Sequence, residues 1–472
     1  MKPLIVDYDG TFIKVDSLIE SFLILLFRDP ANALWSLKYI NNIPKFKQII
    51  LKSNKSGNLF PINNSVLEFL VEEKKKNRPI YLVSGANEVF LKDIHKTNNI
   101  FTSIHGSSNS LNLVGKNKLD FIQSSISKDF DYIGDSFKDF HIWKASDKAY
   151  SVNLNFFKST LSKLLIKKEL VFIGNKMSRI SLTIKFLRSH QWVKNLLIFV
   201  PIVLSSITTL DNNNILPTLY GFIFLCLAAS GGYIINDIVD INSDRIHRTK
   251  KNRPIASGAV QAVTAFATSI IIIFTSLFLS LKLVGTSFFI GLSTYLIISI
   301  FYSLFLKRIA ILDIIILSGL FTLRIFLGIL IQGNEISFWL LVFSIFFFLS
   351  LAALKRFVEV LNTTSVNNAS NTIPGRGYAG NDKDFLFILG VVSGLISIFL
   401  LLLFFTSQSG SDSLNYQIFI HAITSIIILY WLMRMWLFGS RMIMNEDPIS
   451  FAIKDPTSVI LGISVVALLY YA

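Results

Sequence analysis

Only one cysteine occurs in the 472 residues, and it stands inside an apolar run. Cys226 alone excludes an intrachain disulfide and any cysteine-based zinc site, and it reads as a small buried side chain. Charge is thin as well: 16% of the residues are charged against 52% hydrophobic, and acids are outnumbered, 30 to 45. So much apolar surface with so little charge excludes an ordinary soluble chain, and much of this one must face lipid. Histidine is scarce, and none of His190, His247 and His421 in the apolar part has an evident task. An apolar signal core is missing too, because Met1-Lys2-Pro3-Leu4-Ile5-Val6-Asp7 reaches an acid too soon, so the first domain is expected to stay in the cytoplasm.

What is present divides in two. Residues 1–175 mix charged and apolar segments, whereas residues 176–472 are a train of apolar runs, with a basic linker (Lys163, Lys167, Lys168, Lys176, Arg179) across the junction. Runs at 195–210, 215–235, 259–281, 284–304, 310–332, 336–354, 384–406, 416–438 and 456–472 predict about nine spans, each near the ~20 residues a helix needs to cross. With the N-terminus inside, inner loops carry Arg245, Arg248, Lys250, Lys251, Arg253, Lys307, Arg308, Lys355, Arg356, Arg376, Lys383, Arg434, Arg441 and Lys454, and outer loops only Lys282. That asymmetry predicts a multi-pass protein of the cell inner (cytoplasmic) membrane with its N-terminal domain in the cytoplasm. It also accounts for much of the net charge of +15, which removes the case for nucleic acid and favours anionic lipid headgroups and phosphorylated substrates.

Leu4-Ile5-Val6-Asp7-Tyr8-Asp9-Gly10-Thr11 reads as a buried strand entering a tight turn, with Asp7 and Asp9 on one side of the extended chain. A carboxylate at a strand end can attack phosphorus to give an aspartyl-phosphate, and a second can protonate the leaving oxygen. A solvated turn uses the same residue types, so the pair needs company. Pro79-Ile80-Tyr81-Leu82-Val83-Ser84-Gly85 is a second strand ending in a hydroxyl suited to a phosphoryl oxygen; Lys118 follows the Gly115 turn; and Tyr132-Ile133-Gly134-Asp135-Ser136, with Asp139, is a third strand whose acids suit Mg²⁺. Together these resemble the four motifs of haloacid-dehalogenase-like hydrolases over residues 4–153. The resemblance implies an N-terminal α/β domain with a Rossmann-like haloacid dehalogenase fold, acting as a Mg²⁺-dependent phosphomonoesterase. It makes Asp7 the nucleophile and Asp9 the acid/base. Ser84 and Lys118 become phosphate ligands, and Asp7, Asp9, Asp135 and Asp139 become metal-site residues. The helical stretch around Ser21–Phe27 is too short to span a bilayer and looks like a cap with its own packed core; a role at the lipid interface is the alternative.

In the apolar part, Asn236-Asp237-Ile238-Val239-Asp240-Ile241-Asn242-Ser243-Asp244-Arg245 ends the second run. On one helix Asn236, Asp240 and Asp244 would share a face with Asp237 alongside, an acidic cluster suited to Mg²⁺ and a diphosphate, and Arg245, Arg248, Lys250, Lys251 and Arg253 add donors for phosphate oxygens. This motif, followed by Lys251-Asn252-Arg253-Pro254-Ile255-Ala256-Ser257-Gly258, resembles the first signature of UbiA-type transferases, and the match extends over residues 180–472. The resemblance implies an all-α multi-span membrane bundle that moves a group off a Mg²⁺-bound diphosphate.

The second acidic motif of aromatic prenyltransferases is incomplete: Asp313 is present, but Leu317 stands where the next acid would fall. His190-Gln191-Trp192-Val193-Lys194-Asn195, Leu323-Arg324, Lys355-Arg356-Phe357-Val358-Glu359 and Arg376-Gly377-Tyr378 instead resemble the decaprenyl-phosphate phosphoribosyltransferase branch. That branch joins phosphoribosyl diphosphate to a polyprenyl phosphate. The reading implies Lys194, Lys250, Lys251, Arg253, Arg324, Lys355, Arg356, Arg376 and Tyr378 at phosphates, and Asn236, Asp237, Asp240, Asp244 and Asp313 at metal. On the helix, Arg324 lies eleven residues from Asp313 on the same face, so a buried ion pair between the two is the structural alternative to those roles. The fused phosphatase is then expected to remove the 5-phosphate of the lipid product. Competing readings are a prenyltransferase acting on an aromatic or other small acceptor, a non-catalytic regulatory N-terminal domain, and a transporter; a homo-oligomer is left open.

Overall fold

β1 (Leu4–Val6) contains no polar residue because a parallel strand in mid-sheet is covered on both faces. The structure is a computed structural model that describes residues 1–41, 43–53, 60–88, 91, 100–107, 112–136, 139–152, 170–173, 179–205, 215–333, 338–364, 376–408, 415–444 and 447–471. Of the basic linker, Lys163, Lys167, Lys168 and Lys176 fall outside these residues.

After β1 the chain forms α1 (Ser17–Arg28), α2 (Pro30–Ser36), α3 (Ile43–Ser53) and α4 (Asn64–Lys75). It continues through β2 (Ile80–Asn87), β3 (Ser103–Ser107), α5 (Lys116–Ser125), β4 (Asp131–Gly134), α6 (Phe140–Ala145), β5 (Ala149–Val152) and β6 (Leu170–Ile173). The six strands form one parallel sheet in the order β3-β2-β1-β4-β5-β6. Alternation sends Leu4 and Val6 to a layer with Val66 and Leu70, and Ile5 to the opposite layer with Ile122, Ile142 and Trp143. Register aligns Val6 with Leu82 of β2 and Ile133 of β4, so Asp7, Ser84 and Asp135 all emerge at one edge of the sheet. That edge, where the order reverses beside β1, is where open α/β sheets bind ligands. The cap has a packed core: Leu25, Ala33 and Ile50 are buried together, with Phe22, Leu26 and Phe46 against them.

The rest is helical. α7 (Arg179–Phe186) leads to a 3₁₀ stretch, Ser189–Phe199, and to α8 (Val200–Ser205), α9 (Ile215–Val239) and α10 (Ile241–Ile246). Then come α11 (Ala262–Leu283), α12 (Thr286–Leu304), α13 (Leu312–Gln332), α14 (Phe338–Thr364), α15 (Lys383–Gln408), α16 (Asn415–Ser440), α17 (Pro448–Lys454) and α18 (Pro456–Tyr471). Contacts group Met1–Leu187 with Asp237–Thr268 in a first unit and Arg188–Asn236 with Ser269–Ala472 in a second, so the segment after α9 belongs with the sheet.

Among the described residues seven helices, α9 and α11 to α16, are long and apolar enough to cross a membrane, and α17 with α18, bent by 89°, would make an eighth. Of the nine runs expected, the first and last are the two that do not form straight spans of that length among the described residues. The run 195–210 begins in the 3₁₀ stretch, which follows Arg188 at φ 51°, and residues 206–214 lie outside the described residues. The last run is preceded by Asp455-Pro456, where proline cannot continue the hydrogen-bond ladder of α17.

Ile5→Ala empties a fully buried position in mid-sheet. It is expected to cost about 2–5 kcal/mol, read by urea pulse proteolysis of the first unit within the full-length protein.

Candidate active sites

At the carboxyl end of β1 the backbone turns sharply through Gly10, whose φ is 70°. A Cβ there would collide with the Asp135 carboxylate, so glycine is what lets the turn close over β4. Asp7 accepts from its neighbour Tyr8 N at 2.9 Å and from Lys118 Nζ at 2.7 Å. Lys118, buried on α5, also donates to the Tyr132 hydroxyl at 2.7 Å, which in turn donates to Asp139 Oδ1 at 2.9 Å. Burial by itself would lower the Lys118 ammonium, but the charges of Asp7 and Asp139 outweigh it and raise it. Ser84 is buried at the same edge, its hydroxyl oxygen accepting Ala86 N–H at 3.0 Å.

The carboxylates are crowded. Burial, then the neighbouring Asp7 and Asp139, push Asp135 up to about 8, and burial pushes Asp139 up to about 6 although Lys118 opposes it. Asp7, Asp135 and Asp139 each offer an oxygen within 4.8 Å of the others. Oxygens facing each other across an octahedral Mg²⁺ stand about 4 Å apart, so small shifts close this set on the ion. Asp139 Oδ2, buried and with no hydrogen-bond partner, is the orphaned atom such an ion would satisfy. Asp9 does not join the set: its Oδ1 accepts Ser17 N–H at 2.8 Å at the start of α1. Burial, reinforced by Asp16, pushes Asp9 up to about 7, which suits a proton donor more than a metal ligand. All six residues singled out in the sequence line one cavity of about 450 Å³. Two further lining residues gave no signal in sequence: Glu20 of α1, and Lys47 of α3, which donates to Gly85 O at 2.5 Å.

The acidic signature is arranged otherwise than on one helical face. α9 ends at Val239, and Asp240, at φ −92° and ψ 7°, breaks the helix and caps α10. Arg253 Nη1 bridges Asp237 at 3.0 Å and Asp244 at 2.6 Å, both acids being buried. Burial, resisted by Arg253, pushes Asp244 up to about 6. The cation between these acids is thus a guanidinium, and among the described residues Asp237, Asp240 and Asp244 form no ligand cluster. Asn236 accepts from Lys307 Nζ at 3.2 Å, and Lys250 and Lys251 are exposed.

In the second unit Asp313 and Arg356 are both fully buried and directly paired. Tyr302 donates to Asp313 Oδ1 at 2.7 Å, Arg356 reaches Glu359 at 2.5 Å, and Arg376 approaches Asp313 at 3.5 Å. The Asp313–Arg324 pair weighed from sequence does not form, and both Asp313 oxygens accept hydrogen bonds from Arg356. Arg324, also buried, bonds only neutral groups among the described residues: Asn195 Oδ1 at 2.9 Å, Leu320 O at 2.6 Å and Tyr295 OH at 2.8 Å. Tyr378 is buried with its hydroxyl oxygen accepting Ile311 N–H at 2.9 Å. Lys194 and Lys355 converge on Asp447, at 2.9 and 2.8 Å. Lys194 also lines an apolar groove of about 490 Å³ formed by α14, α16 and α18, with Phe347 and Trp431 along it.

Asp135→Asn is expected to weaken Mg²⁺ binding by about tenfold or more, read by calorimetric titration of metal-stripped full-length protein. Asp313→Leu alone strands Arg356 and is expected to cost about 3–5 kcal/mol, with Asp313→Leu/Arg356→Met costing less than the single change. Thermal unfolding in detergent reads both.

The UbiA prenyltransferase family matches residues 196–439. An uncharacterized protein of Sinorhizobium fredii, y4nM, is 35% identical over 98% of this chain and 89% of its own. The decaprenyl-phosphate phosphoribosyltransferase of Corynebacterium glutamicum is 33% identical over 180 residues, 38% of this chain and 54% of that one. A UbiA homolog from Archaeoglobus fulgidus, solved bound to GPP and Mg²⁺, superposes at TM-score 0.46 with 16% identity, covering 61% of this chain and 97% of that one. Behind an α/β domain built on a six-stranded parallel sheet, this integral membrane chain carries a helical transferase, and it belongs to the UbiA prenyltransferase family.

Proposed function

We propose that the chain is a bifunctional enzyme of the cytoplasmic membrane, with its N-terminal domain in the cytoplasm. In this reading residues 176–472 transfer phosphoribose from phosphoribosyl diphosphate to a polyprenyl phosphate, and residues 1–175 remove the 5-phosphate from the product. The observation that carries it is the loss of the second acid pair of an aromatic prenyltransferase: Asp313 is held by Arg356 with Arg376 beside it, position 317 is leucine, and the neighbouring Lys355 shares the single acid Asp447 with Lys194. A donor bearing both a diphosphate and a 5-phosphate needs more positive charge than a prenyl diphosphate. The similarity to the Corynebacterium phosphoribosyltransferase points the same way.

For the transfer, the lipid phosphate is already ionised and needs no base. Its oxygen forms the bond to the anomeric carbon as the bond from that carbon to diphosphate breaks. Lys250, Lys251 and Arg253, the last of which bridges Asp237 and Asp244, are the cations of the signature segment assigned to the leaving diphosphate in this reading. Lys194 and Lys355, two cations sharing one carboxylate, suit the acceptor's phosphate, with its chain in the apolar groove.

In the phosphatase step an Asp7 oxygen attacks phosphorus while the bond to the sugar oxygen breaks, and Asp9 gives that oxygen its proton. Water then opens the aspartyl-phosphate, Asp9 taking the proton back. Ser84 and Lys118 hold the phosphoryl oxygens. Asp7, Asp135 and Asp139 would hold Mg²⁺, which would supply charge neutralisation to the transferring group.

The family's own description favours a second reading, transfer of a polyprenyl group from its diphosphate to an aromatic or other small acceptor. Purified protein given radiolabelled phosphoribosyl diphosphate, Mg²⁺ and polyprenyl phosphate is expected to move label into the lipid phase, with the 5-phosphate retained in Asp7→Asn alone. No lipid label, with turnover of prenyl diphosphate and an aromatic acid, establishes the second reading instead.

A further inference from the structure

The phosphatase cavity is not closed by the α/β domain alone. Gln261, Ala262 and Val263 line it together with Asp7, Asp9 and Lys118. These residues come more than 80 positions after β6, and Ala262 opens α11, a helix of membrane-crossing length. Three contacts fix the segment that leads to them. Arg245 grips Glu20 of α1 with both terminal nitrogens, at 2.6 and 2.9 Å, and donates to Ala256 O at 2.9 Å. The Glu20 and Arg245 side chains are 2% and 6% exposed, so this is a desolvated bidentate pair and not a surface bridge. Gly258, at φ 72°, brings its backbone so near that a Cβ would lie 2.7 Å from Lys14 and 2.9 Å from Pro61. Phe266 meets Phe27 of α1 edge-on at 5.8 Å.

We propose that the segment Arg245–Val263 is the substrate-selecting wall of the phosphatase, and that it selects a phosphomonoester carried on a membrane lipid. The proposal rests on the phosphatase reading above and deepens it. The catalytic acids and Lys118 engage only the phosphoryl group, so what distinguishes one phosphomonoester from another is met by the walls. This wall runs straight into the first turn of α11, where a leaving group continuous with a lipid would emerge along apolar surface. The Glu20–Arg245 pair holds the wall against the cap, a positioning task.

The test compares kcat/KM for two substrates of the same phosphate chemistry: ribose 5-phosphate, and the same sugar phosphate linked to polyprenyl phosphate. Full-length protein in nanodiscs carries Gln261→Trp, Val263→Trp, Val263→Ala or Glu20→Gln. Val263 is 42% exposed, so either change there leaves the packing of the fold intact. The wild type is expected to prefer the lipid-linked substrate, and the tryptophan variants to lower that preference by about tenfold or more. Val263→Ala and Glu20→Gln are expected to shift the ratio as well, by altering the wall's shape and its anchorage. A ratio unchanged in every variant overturns the proposal while leaving the phosphatase reading intact. If wild type hydrolyses neither substrate, the phosphatase reading itself fails.

Discussion

Three carboxylates meet at the carboxyl ends of β1 and β4 with a single buried ammonium among them, and the first unit is organised around holding that unfavourable gathering in place. Like charges out of water repel strongly and raise each other's proton affinity, which is the direction taken by Asp135 and Asp139. The repulsion is contained by geometry: β1 is locked between β2 and β4, Gly10 clears the approach to Asp135, and Tyr132 ties Lys118 to Asp139. A site assembled this way is strained by its own negative charge, which a divalent cation would relieve. That is the economy expected of a catalytic centre.

The helical unit solves the opposite problem, because its interior charges are matched before any substrate arrives. Asp313 and Arg356 are both withdrawn from solvent, with Tyr302 and Arg376 completing the set. Such a pair contributes little net stability against an apolar alternative, but it makes each partner intolerant of losing the other. Arg324 is the exception, surrounded by an amide, a carbonyl, a phenol and the faces of Tyr295 and Phe321. It is a desolvated cation compensated by dipoles and π-faces alone among the described residues, which leaves it receptive to an anion.

Sequence made the acids of the first unit legible because they follow short apolar strands. Asp7, Ser84, Lys118, Asp135 and Asp139 were singled out by their place after those strands together with a resemblance to known motifs, and the fold brings them to one cavity. Where the partner comes from elsewhere, spacing along one helix is blind. Asp313 pairs with Arg356, 43 residues away, and not with Arg324 on its own helix; Glu20 pairs with Arg245 across 225 residues. The shared face inferred for Asn236, Asp240 and Asp244 failed for a related reason: periodicity assumes an unbroken helix, and Asp240 ends one. Hydropathy along 195–210 likewise does not register that Ser189–Phe199 winds as a 3₁₀ helix before the α-helix Val200–Ser205.

The Glu20–Arg245 pair also bears on what a single polypeptide does for the first unit, whose residues come from two separate stretches of the chain. Within one chain the two residues meet at the high effective concentration that covalent linkage provides, on the order of millimolar for short flexible tethers. Cut between residues 187 and 237, the same pair would become a bimolecular encounter, and each half would carry a desolvated charge with no counterpart until the other half found it. Fusion therefore changes the standard state of the contact: an association that would vary with expression level becomes a fixed property of every molecule.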